Sequence, residues 1–222
     1  MSTVWRVSRR IGRSISFRTR AIASRLDQMV LTEELRRAGA GHAASIRTFT
    51  NPRELRQLYE LAHALPPGAQ VVEIGSYLGA SSCYLAAGLR AKGGKLLCID
   101  TWQNETMPDG DRDTYADFRQ NVAPFGSLVT MLRKRSDHVE SVELPVTCDL
   151  AFIDGDHAYE MVSRDIGLVV PRISENGIVV FHDAIHFPGV SRAIGDLLVC
   201  GGFSIEGRID NLVWLRRRSS PS

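Results

Sequence analysis

Acidic and histidine side chains stand at the ends of four apolar runs in this 222-residue chain. They are Glu73, Asp100, Asp154 and the pair His182-Asp183. When parallel strands form an open sheet, ligands bind beyond the carboxyl ends of those strands. Carboxylates gathered there can accept hydrogen bonds from a ribose or hold a hard divalent cation, and a histidine can accept a proton. The residues at the ends of these runs therefore predict one binding site with acid–base or metal chemistry.

A glycine turn follows the first of these runs. Residues 73–81 have the pattern E-x-G-x-x-x-G-x-S, in which Gly75 permits a tight turn and Gly79 a close approach of the next helix. Tyr77 occupies the place of the second glycine in the dinucleotide fingerprint, so it disfavours a pyrophosphate. Asp100 follows 25 residues after Gly75, where a carboxylate can accept from both ribose hydroxyls. The pattern favours a nucleoside as the ligand. Two alternatives stay open: the glycine turn could serve packing alone, and Asp100 could cap a helix.

Composition and charge predict one folded domain with basic ends. Hydrophobic residues make up 44% of the chain and charged residues 23%, and no apolar run reaches the about 18 residues of a membrane-spanning helix. Residues 1–37 are basic, residues 38–215 carry an excess of acids, and residues 216–218 are all arginine. The acidic body argues against nucleic acid as a partner. Four cysteines without a CxxC pair predict reduced, buried thiols in a cytoplasmic protein.

The body alternates predicted strands and helices. Strands are predicted over residues 71–75, 95–100, 128–132, 149–154 and 177–181, and a hairpin over 203–206 and 212–215. Helices are predicted over residues 52–65, 79–89, 158–170 and 190–199, with a helix ending at 122 and a short one over 137–143. Because strands joined by helices pair in parallel, the chain predicts a doubly wound α/β fold. Its seven-stranded, mostly parallel sheet has helices on both faces and ends in an antiparallel hairpin.

The first 49 residues are predicted to be a basic, helical extension of a domain over residues 50–215, with a flexible basic tail over 216–222. Apolar residues recur at helical spacing over residues 4–30, with arginines on much of the opposite face. Three interpretations of this arm stay open. It could pack on the body or on a second subunit as a cap over the active site, contact an anionic membrane surface, or target the protein. Such a long helix is compatible with a homodimer.

The glycine turn, Asp100 and the closing hairpin together resemble the class I S-adenosylmethionine-dependent methyltransferases over about residues 50–215. In that family the turn lies under the methionine part of the cofactor and the second-strand acid holds its ribose. Arg135-Ser136-Asp137 is similar to the loop on the adenine side. The resemblance implies cofactor contacts from Glu73, Gly75, Ser76, Tyr77, Gly79, Ser81, Asp100, Thr101, Trp102, Ser136, Asp137 and Asp154. For Trp102, ordinary packing is the equal alternative.

Two later motifs resemble the cation-dependent O-methyltransferases, which include catechol and macrolide-sugar enzymes. The motifs are Asp154-Gly155-Asp156-His157-x-Tyr159 and Phe181-His182-Asp183. In that group, acids that end the fourth and fifth strands hold magnesium. The resemblance implies that Asp154 and Asp183 bind Mg²⁺ or another divalent cation. His182 stands where the group has an acid, and imidazole suits softer ions than magnesium, so the resemblance leaves the metal's identity open.

The resemblance also implies a base that takes the proton of the acceptor hydroxyl. His157, three residues after Asp154, is the first candidate because its ordinary pKa suits proton transfer near neutrality, and Asp156 is the second. The predicted function is methyl transfer to a hydroxyl of a sugar, glycoside or oligosaccharide, with a phenolic or catechol hydroxyl next. A dinucleotide-dependent enzyme and a non-catalytic nucleoside-binding module are the alternatives of other classes.

Overall fold

A seven-stranded sheet forms the centre of the computed structural model, which describes residues 28–104 and 110–218. The strands are β1 (Gln70–Ile74), β2 (Lys95–Asp100), β3 (Val129–Arg133), β4 (Cys148–Ile153), β5 (Ile173–Phe181), β6 (Phe203–Ile209) and β7 (Leu212–Arg217). Their order across the sheet is β3-β2-β1-β4-β5-β7-β6. The first five strands pair in parallel, and β7 runs antiparallel to both β5 and β6. The predicted fold class is therefore confirmed.

Helices cover both faces of this sheet. They are α1 (residues 28–37, where the description begins), α2 (Pro52–Ala64), α3 (Ala80–Arg90), α4 (Tyr115–Val122), α5 (Tyr159–Val169) and α6 (Pro188–Cys200). Side chains alternate between the two faces along each strand, so that Val71 joins a core with α1 to α4 and Val72 a second core with α5 and α6. Both cores are closely packed and apolar, which fixes the strand ends relative to one another.

The strand order reverses between β1 and β4. The chain winds outward from β1 through β2 to β3, then returns to the other side of β1 for β4 and β5. At such a reversal the connections leave in opposite directions, which opens a crevice at the carboxyl ends of the two strands. Gly75 and Asp154, which follow β1 and β4, lie at this crevice.

Helix α2 begins with a complete capping box. The Asn51 side chain accepts hydrogen bonds from the backbone N–H groups of Arg53 and Glu54, and the Glu54 carboxylate accepts from the Asn51 N–H group. Pro52 occupies the first turn, where its missing N–H group leaves no bond unmade. Glu54 is nevertheless buried, because α2 starts against the sheet rather than in solvent.

Several element boundaries differ from the sequence prediction. The helix predicted over 137–143 consists of two separate 3₁₀ turns, Ser136–His138 and Ser141–Glu143. Strand β7 continues through Arg217, so two arginines of the predicted flexible tail belong to the sheet, where the Arg216 side chain pairs with Glu206. Cys200 is exposed, whereas the other three cysteines are buried as predicted.

Most of the basic arm predicted over residues 4–30, up to residue 27, lies outside the residues that the structure describes. From residue 28 onward the segment packs on the body, because Leu31 and Leu35 of α1 are buried in the same core as α2 and α3. Over the described ranges, none of the helices combines the length and the apolar character needed to cross a bilayer.

Candidate active site

One cavity of about 840 Å³ opens at the carboxyl ends of the parallel strands. The residues around it come from the loops after all five parallel strands and from the segment before α2. Predicted site residues that line it are Gly75, Ser76, Tyr77, Ser81, Asp100, Thr101, Ser136, Asp154, Asp156, His157, His182 and Asp183. A cavity of this size accommodates a nucleoside and a small acceptor together.

The glycine turn after β1 uses left-handed backbone at three residues. The φ angles are 85° at Gly75, 46° at Tyr77 and 86° at Gly79. A Cβ atom on Gly75 would lie 2.1 Å from the Asp154 carbonyl oxygen, so only glycine fits between β1 and β4. At Gly79 an added Cβ would meet the Phe118 ring at 3.0 Å. Gly79 therefore serves the packing of α3 on α4 and does not line the cavity.

Glu73 stabilises this turn from within the core. Its carboxylate is fully buried and accepts hydrogen bonds from the hydroxyl groups of Ser76, Ser81 and Ser82, and Cys98 Sγ lies 3.3 Å away. Burial raises the pKa of Glu73, and the hydroxyl donors oppose that shift. Glu73 is thus not among the residues that line the cavity, and its side chain instead joins the turn to α3 from behind the cavity wall.

Asp100 links the turn to the end of β2. Its Oδ2 accepts from the backbone N–H groups of Ser76 and Tyr77 at 2.7 and 2.8 Å, and its Oδ1 accepts from the Trp102 N–H group at 2.7 Å. A carboxylate has about four acceptor positions, and these three donors leave one of them for a further hydrogen bond. The side chain thus binds backbone groups of the glycine turn and also lines the cavity, so its predicted contact with a ribose stays a prediction.

Asn104 is a cavity residue that the sequence prediction missed. It is 7% exposed, and its Oδ1 accepts a hydrogen bond from the Thr114 hydroxyl at 3.3 Å. Its Nδ2 group has no hydrogen-bond partner among the described residues. A buried amide donor without a partner is costly unless a ligand accepts its hydrogen bond. Asn is a common turn residue, and no spacing rule marks this one as a ligand contact.

The Trp102 side chain lies in the core and not in the cavity wall. It is fully buried, and its ring packs against Tyr115 and Phe118 at centroid distances of 5.0 and 4.7 Å. This placement favours packing, the alternative interpretation of Trp102. Asp137 does not line the cavity either, and its carboxylate forms ion pairs with Arg135 and Arg164.

A charged cluster occupies the opposite side of the cavity. His182 Nδ1 lies 3.1 Å from Asp154 Oδ1 and 3.3 Å from Asp183 Oδ2. Ligand atoms of these three residues lie within 4.8 Å of one another, a spacing that can hold a metal ion. Burial alone would lower the pKa of His182, but the carboxylates of Asp154, Asp183 and Glu54 raise it to about 12. Burial raises the pKa of Asp154, an effect that the neighbouring His182 partly offsets.

His157 extends the cluster toward the cavity mouth. Its Nε2 lies 3.1 Å from Asp183 Oδ2, and its ring contacts Phe187 at a centroid distance of 4.0 Å. The hydrogen bond with Asp183 raises the pKa of His157 above its ordinary value, against the effect of partial burial. For Asp183, burial favours a higher pKa, but the bonds with His157 and His182 hold it below its usual range. His157 and Asp183 thus form a polarised pair beside the cavity.

Asp156 has a different setting from His157. Its Oδ1 accepts a hydrogen bond from the Ala158 backbone N–H group at 2.7 Å, immediately before α5 begins. The second candidate base is therefore engaged as a turn residue at the start of that helix, although it also lines the cavity. Of the two candidates, His157 has the carboxylate partner that a general base needs for orientation.

Asp183 itself is held in a strained backbone conformation. Its φ angle is 55°, which is uncommon for a residue other than glycine and occurs often at functional sites. The Asn211 side chain donates a hydrogen bond to Asp183 Oδ1 and contacts His186 Nδ1 at 2.9 Å. Asn211 comes from the β6–β7 hairpin, 28 residues further along the chain. No short-range motif could have identified this contact.

The segment before α2 forms one wall of the cavity. Thr48, Phe49 and Thr50 line it, and the Phe49 ring lies 5.8 Å from the ring of Tyr77 in the glycine turn. The predicted domain boundary at residue 50 therefore divides a single site.

The fold, the glycine turn and the paired acids at the strand ends together define the class I methyltransferase architecture.

Comparison with known families agrees with this architecture. The sequence model of a family described as "Methyltransferase domain" (Methyltransf_24) matches residues 72–184, slightly more than half of the chain. The protein therefore belongs to the Methyltransf_24 methyltransferase family. The matched range begins in β1 and ends just after His182 and Asp183, so it contains the glycine turn and the charged cluster.

Two curated relatives match part of the chain. The uncharacterized protein y4gI of Sinorhizobium fredii is 30% identical over 129 residues, which cover 55% of this chain and 14% of that protein. The uncharacterized protein R132 of Acanthamoeba polyphaga mimivirus is 28% identical over 144 residues, covering 57% of this chain and 59% of the relative. The matched part thus spans less than two thirds of either relative.

Solved structures share the fold at low sequence identity. The O-methyltransferase NovP has a TM-score of 0.66 at 17% identity, covering 78% of this chain and 82% of NovP. An O-methyltransferase from Bacillus cereus in complex with SAH has a TM-score of 0.62 at 16% identity, with coverages of 84% and 91%. CalS11, a TDP-rhamnose 3′-O-methyltransferase, has a TM-score of 0.57 at 16% identity, with coverages of 83% and 93%.

Proposed function

We propose that the protein is an S-adenosylmethionine-dependent O-methyltransferase that methylates a hydroxyl group of a sugar, glycoside or oligosaccharide with the help of a divalent cation. One observation carries the proposal. The glycine turn and Asp100 face the same cavity as the cluster of His157, His182, Asp154 and Asp183. A nucleoside-binding side and a proton-accepting side thus adjoin in one cavity.

The residues on the nucleoside side fit the cofactor. The turn at Gly75 brings the backbone close to the cavity, and Asp100 keeps an acceptor position beside it. Asn104 Nδ2 is a buried donor that lacks a partner among the described residues, as expected of a group that bonds to a ligand. Acidic side chains that line the cavity favour the positive charge of a sulfonium.

The residues on the other side fit a divalent cation. Asp154 and Asp183 offer carboxylate oxygens, and His182 offers a ring nitrogen within the same 4.8 Å cluster. When bound, such a cation would polarise the acceptor hydroxyl and lower its pKa. The three side chains come from the ends of two adjacent strands, β4 and β5, so the sheet itself fixes their spacing.

His157 is assigned as the general base. Its hydrogen bond to Asp183 orients the imidazole ring, and the carboxylate stabilises the positive charge that the ring gains with a proton. The raised pKa makes His157 a stronger base than a free imidazole, which suits a weakly acidic aliphatic hydroxyl. Phe187, against the imidazole, excludes water from one face of the ring.

The cavity mouth and one structural neighbour support the proposed sugar acceptor. Phe49 and Phe187 are both partly exposed there, 51% and 40%, and their rings can pack against the apolar face of a sugar. The likeness to CalS11, whose acceptor is TDP-rhamnose, supports a sugar. A phenolic acceptor is the second candidate, because the same two rings can stack on a flat aromatic compound.

The test is methyl transfer from isotopically labelled S-adenosylmethionine to a panel of acceptors. The panel contains nucleoside-diphosphate sugars, simple glycosides and catechols, with and without a chelator. We expect label on a sugar hydroxyl, a loss with the chelator and a loss in Asp183→Asn. Glu175→Gln, an exposed change in β5, is the matched control and should retain full activity. Label on catechols alone would show that the acceptor is a phenol and not a sugar. Transfer that persists with the chelator would contradict the proposed role of a divalent cation.

A further inference from the structure

Glu54 is a buried carboxylate that the proposed methyl transfer does not use. It lies in the first turn of α2, is 1% exposed, and its Oε2 is 3.1 Å from Nε2 of His182, 128 residues away. His182 is 4% exposed. Burying a carboxylate is costly unless it is paired and hydrogen-bonded, and His182 provides the charged partner of Glu54.

The partners of Glu54 determine which nitrogen of His182 carries hydrogen. Oε2 also accepts from the Asn51 backbone N–H group at 3.0 Å, and Oε1 accepts from the Asn211 N–H group at 2.8 Å. Because both oxygens act as acceptors, His182 Nε2 must donate its hydrogen to Glu54. The other ring nitrogen, Nδ1, then faces Asp154 and Asp183, whose carboxylates hold a proton there when no cation is bound. A cation bound at Nδ1 would replace that proton, because a histidine nitrogen must be deprotonated to bind a metal.

We propose that Glu54 is a positioning residue that holds His182 as an Nδ1 metal ligand, so that Asp154, His182 and Asp183 select a first-row transition ion over Mg²⁺. The inference rests on the proposed cation-assisted function. A histidine ligand generally donates its second N–H group to a carboxylate, which fixes the tautomer and makes the ligand more basic. An imidazole with two carboxylates suits ions such as Mn²⁺, Co²⁺ or Zn²⁺, whereas Mg²⁺ prefers oxygen ligands only.

The architecture explains why this contact can be held firmly. Asn51 caps α2 through its side chain and also donates its backbone N–H group to Glu54. Asn211 connects the same carboxylate with the hairpin and, through its side chain, with Asp183. Glu54 therefore joins the start of α2, the β6–β7 hairpin and the end of β5 at one point.

The experiment measures metal binding directly, with Co²⁺ as the probe. The full-length protein is titrated with Co²⁺ while its visible absorption is recorded, and Mg²⁺ is then added as a competitor. We expect saturable Co²⁺ binding with a changed spectrum that a large excess of Mg²⁺ does not reverse. Glu54→Gln should weaken Co²⁺ binding by about 10- to 100-fold, since an amide cannot accept at both positions. His182→Asp should shift the preference toward Mg²⁺.

Matched controls separate this inference from the proposed function. Glu60→Gln changes an exposed carboxylate in the same helix and should leave Co²⁺ binding unchanged. Binding of S-adenosylhomocysteine, followed by calorimetry, tests the cofactor assignment in each variant independently of metal. An unchanged Co²⁺ spectrum in His182→Ala, or displacement of Co²⁺ by an equal concentration of Mg²⁺, would overturn the inference. If either of these results came with unchanged binding of S-adenosylhomocysteine, the methyltransferase assignment would still hold.

Discussion

Asp183 is the carboxylate that contributes most to the chemical character of His157. Asp183, bonded to Nε2, raises the pKa of the imidazole above 6.5, and a base must be neutral before it accepts a proton. Methyl transfer should therefore rise with pH through this raised pKa and be lost in acid. His157→Gln should lower the rate by about 10²- to 10⁴-fold and abolish that acidic limb. The pH profile of the turnover rate is the measurement.

A matched histidine variant serves as the control for the assignment of His157 as the base. His138→Gln changes an exposed histidine in a 3₁₀ turn away from the cluster and should keep both the rate and the acidic limb. If the acidic limb survived in His157→Gln and disappeared in Asp156→Asn, Asp156 would be the base instead.

Individual residues also show where sequence reasoning stops. The convergence of Asp154, His182 and Asp183 could be predicted because each follows the end of a strand, and strand ends converge at one edge of a parallel sheet. Glu54 has the sequence context of an ordinary capping-box acid, and nothing local indicates its contact with a histidine 128 residues away. Asn104 was missed for the same reason, since its role follows from burial rather than from spacing.

The glycine turn is the element on which the site depends most. Gly75→Ala would place a Cβ against the Asp154 carbonyl and force apart the ends of β1 and β4. We expect loss of nucleoside binding and a thermal midpoint well below that of the parent protein. Gly68→Ala is the control, because Gly68 also has a positive φ of 75° but nothing within 4 Å of an added Cβ. Gly68→Ala should lower the free energy of unfolding by about 1 kcal/mol. Equal effects of the two changes would contradict the close-approach argument.

Helix α5 contributes a buried acid that links stability to pH. Asp165 is 2% exposed, its Oδ1 has no partner among the described groups, and burial raises its pKa to about 7. The ionised form is disfavoured in the native state but not in the unfolded chain, where the pKa is about 3.9. The native state should therefore lose stability as pH rises from about 4 to 7, by at most about 4 kcal/mol.

Urea unfolding at pH 5 and pH 8 checks this expectation. The free energy of unfolding of Asp165→Asn should change less between the two pH values than that of the parent protein. Asp196→Asn, an exposed change in α6, provides the comparison and should keep the parental difference. Identical differences in all three proteins would show that Asp165 ionises as freely in the native state as in the unfolded one.

Most elements were predictable because their patterns are long and regular. The buried strands and α2, with its cap and proline, begin and end within a few residues of the prediction. The short helix predicted over 137–143 was wrong because its few apolar residues bury little surface, and two 3₁₀ turns satisfy the backbone instead. The extra length of β5 comes from pairing with β4 beyond a bulge, which composition does not reveal.

At the scale of the molecule, the reversal of strand order assembles the site. Residues from Thr48 to Asn211 meet around one cavity and the cluster behind it, although they are far apart in the chain. Sheet topology could be predicted from the alternation of strands and helices, so the location of the site could be predicted as well. The wall formed by residues 48–50 could not, because it depends on how the segment before α2 packs against the glycine turn.

The measurement that tests the central claim most directly is a calorimetric titration with S-adenosylhomocysteine. It needs no knowledge of the acceptor and examines the nucleoside side of the cavity alone. We predict one saturable site at micromolar affinity, weakened at least about tenfold in Asp100→Asn, whose amide would oppose the backbone donors of the glycine turn. Glu175→Gln should bind as the parent protein does. Absence of binding by the parent protein, or equal affinity in Asp100→Asn, would contradict the assignment of this cavity to a methyltransferase cofactor.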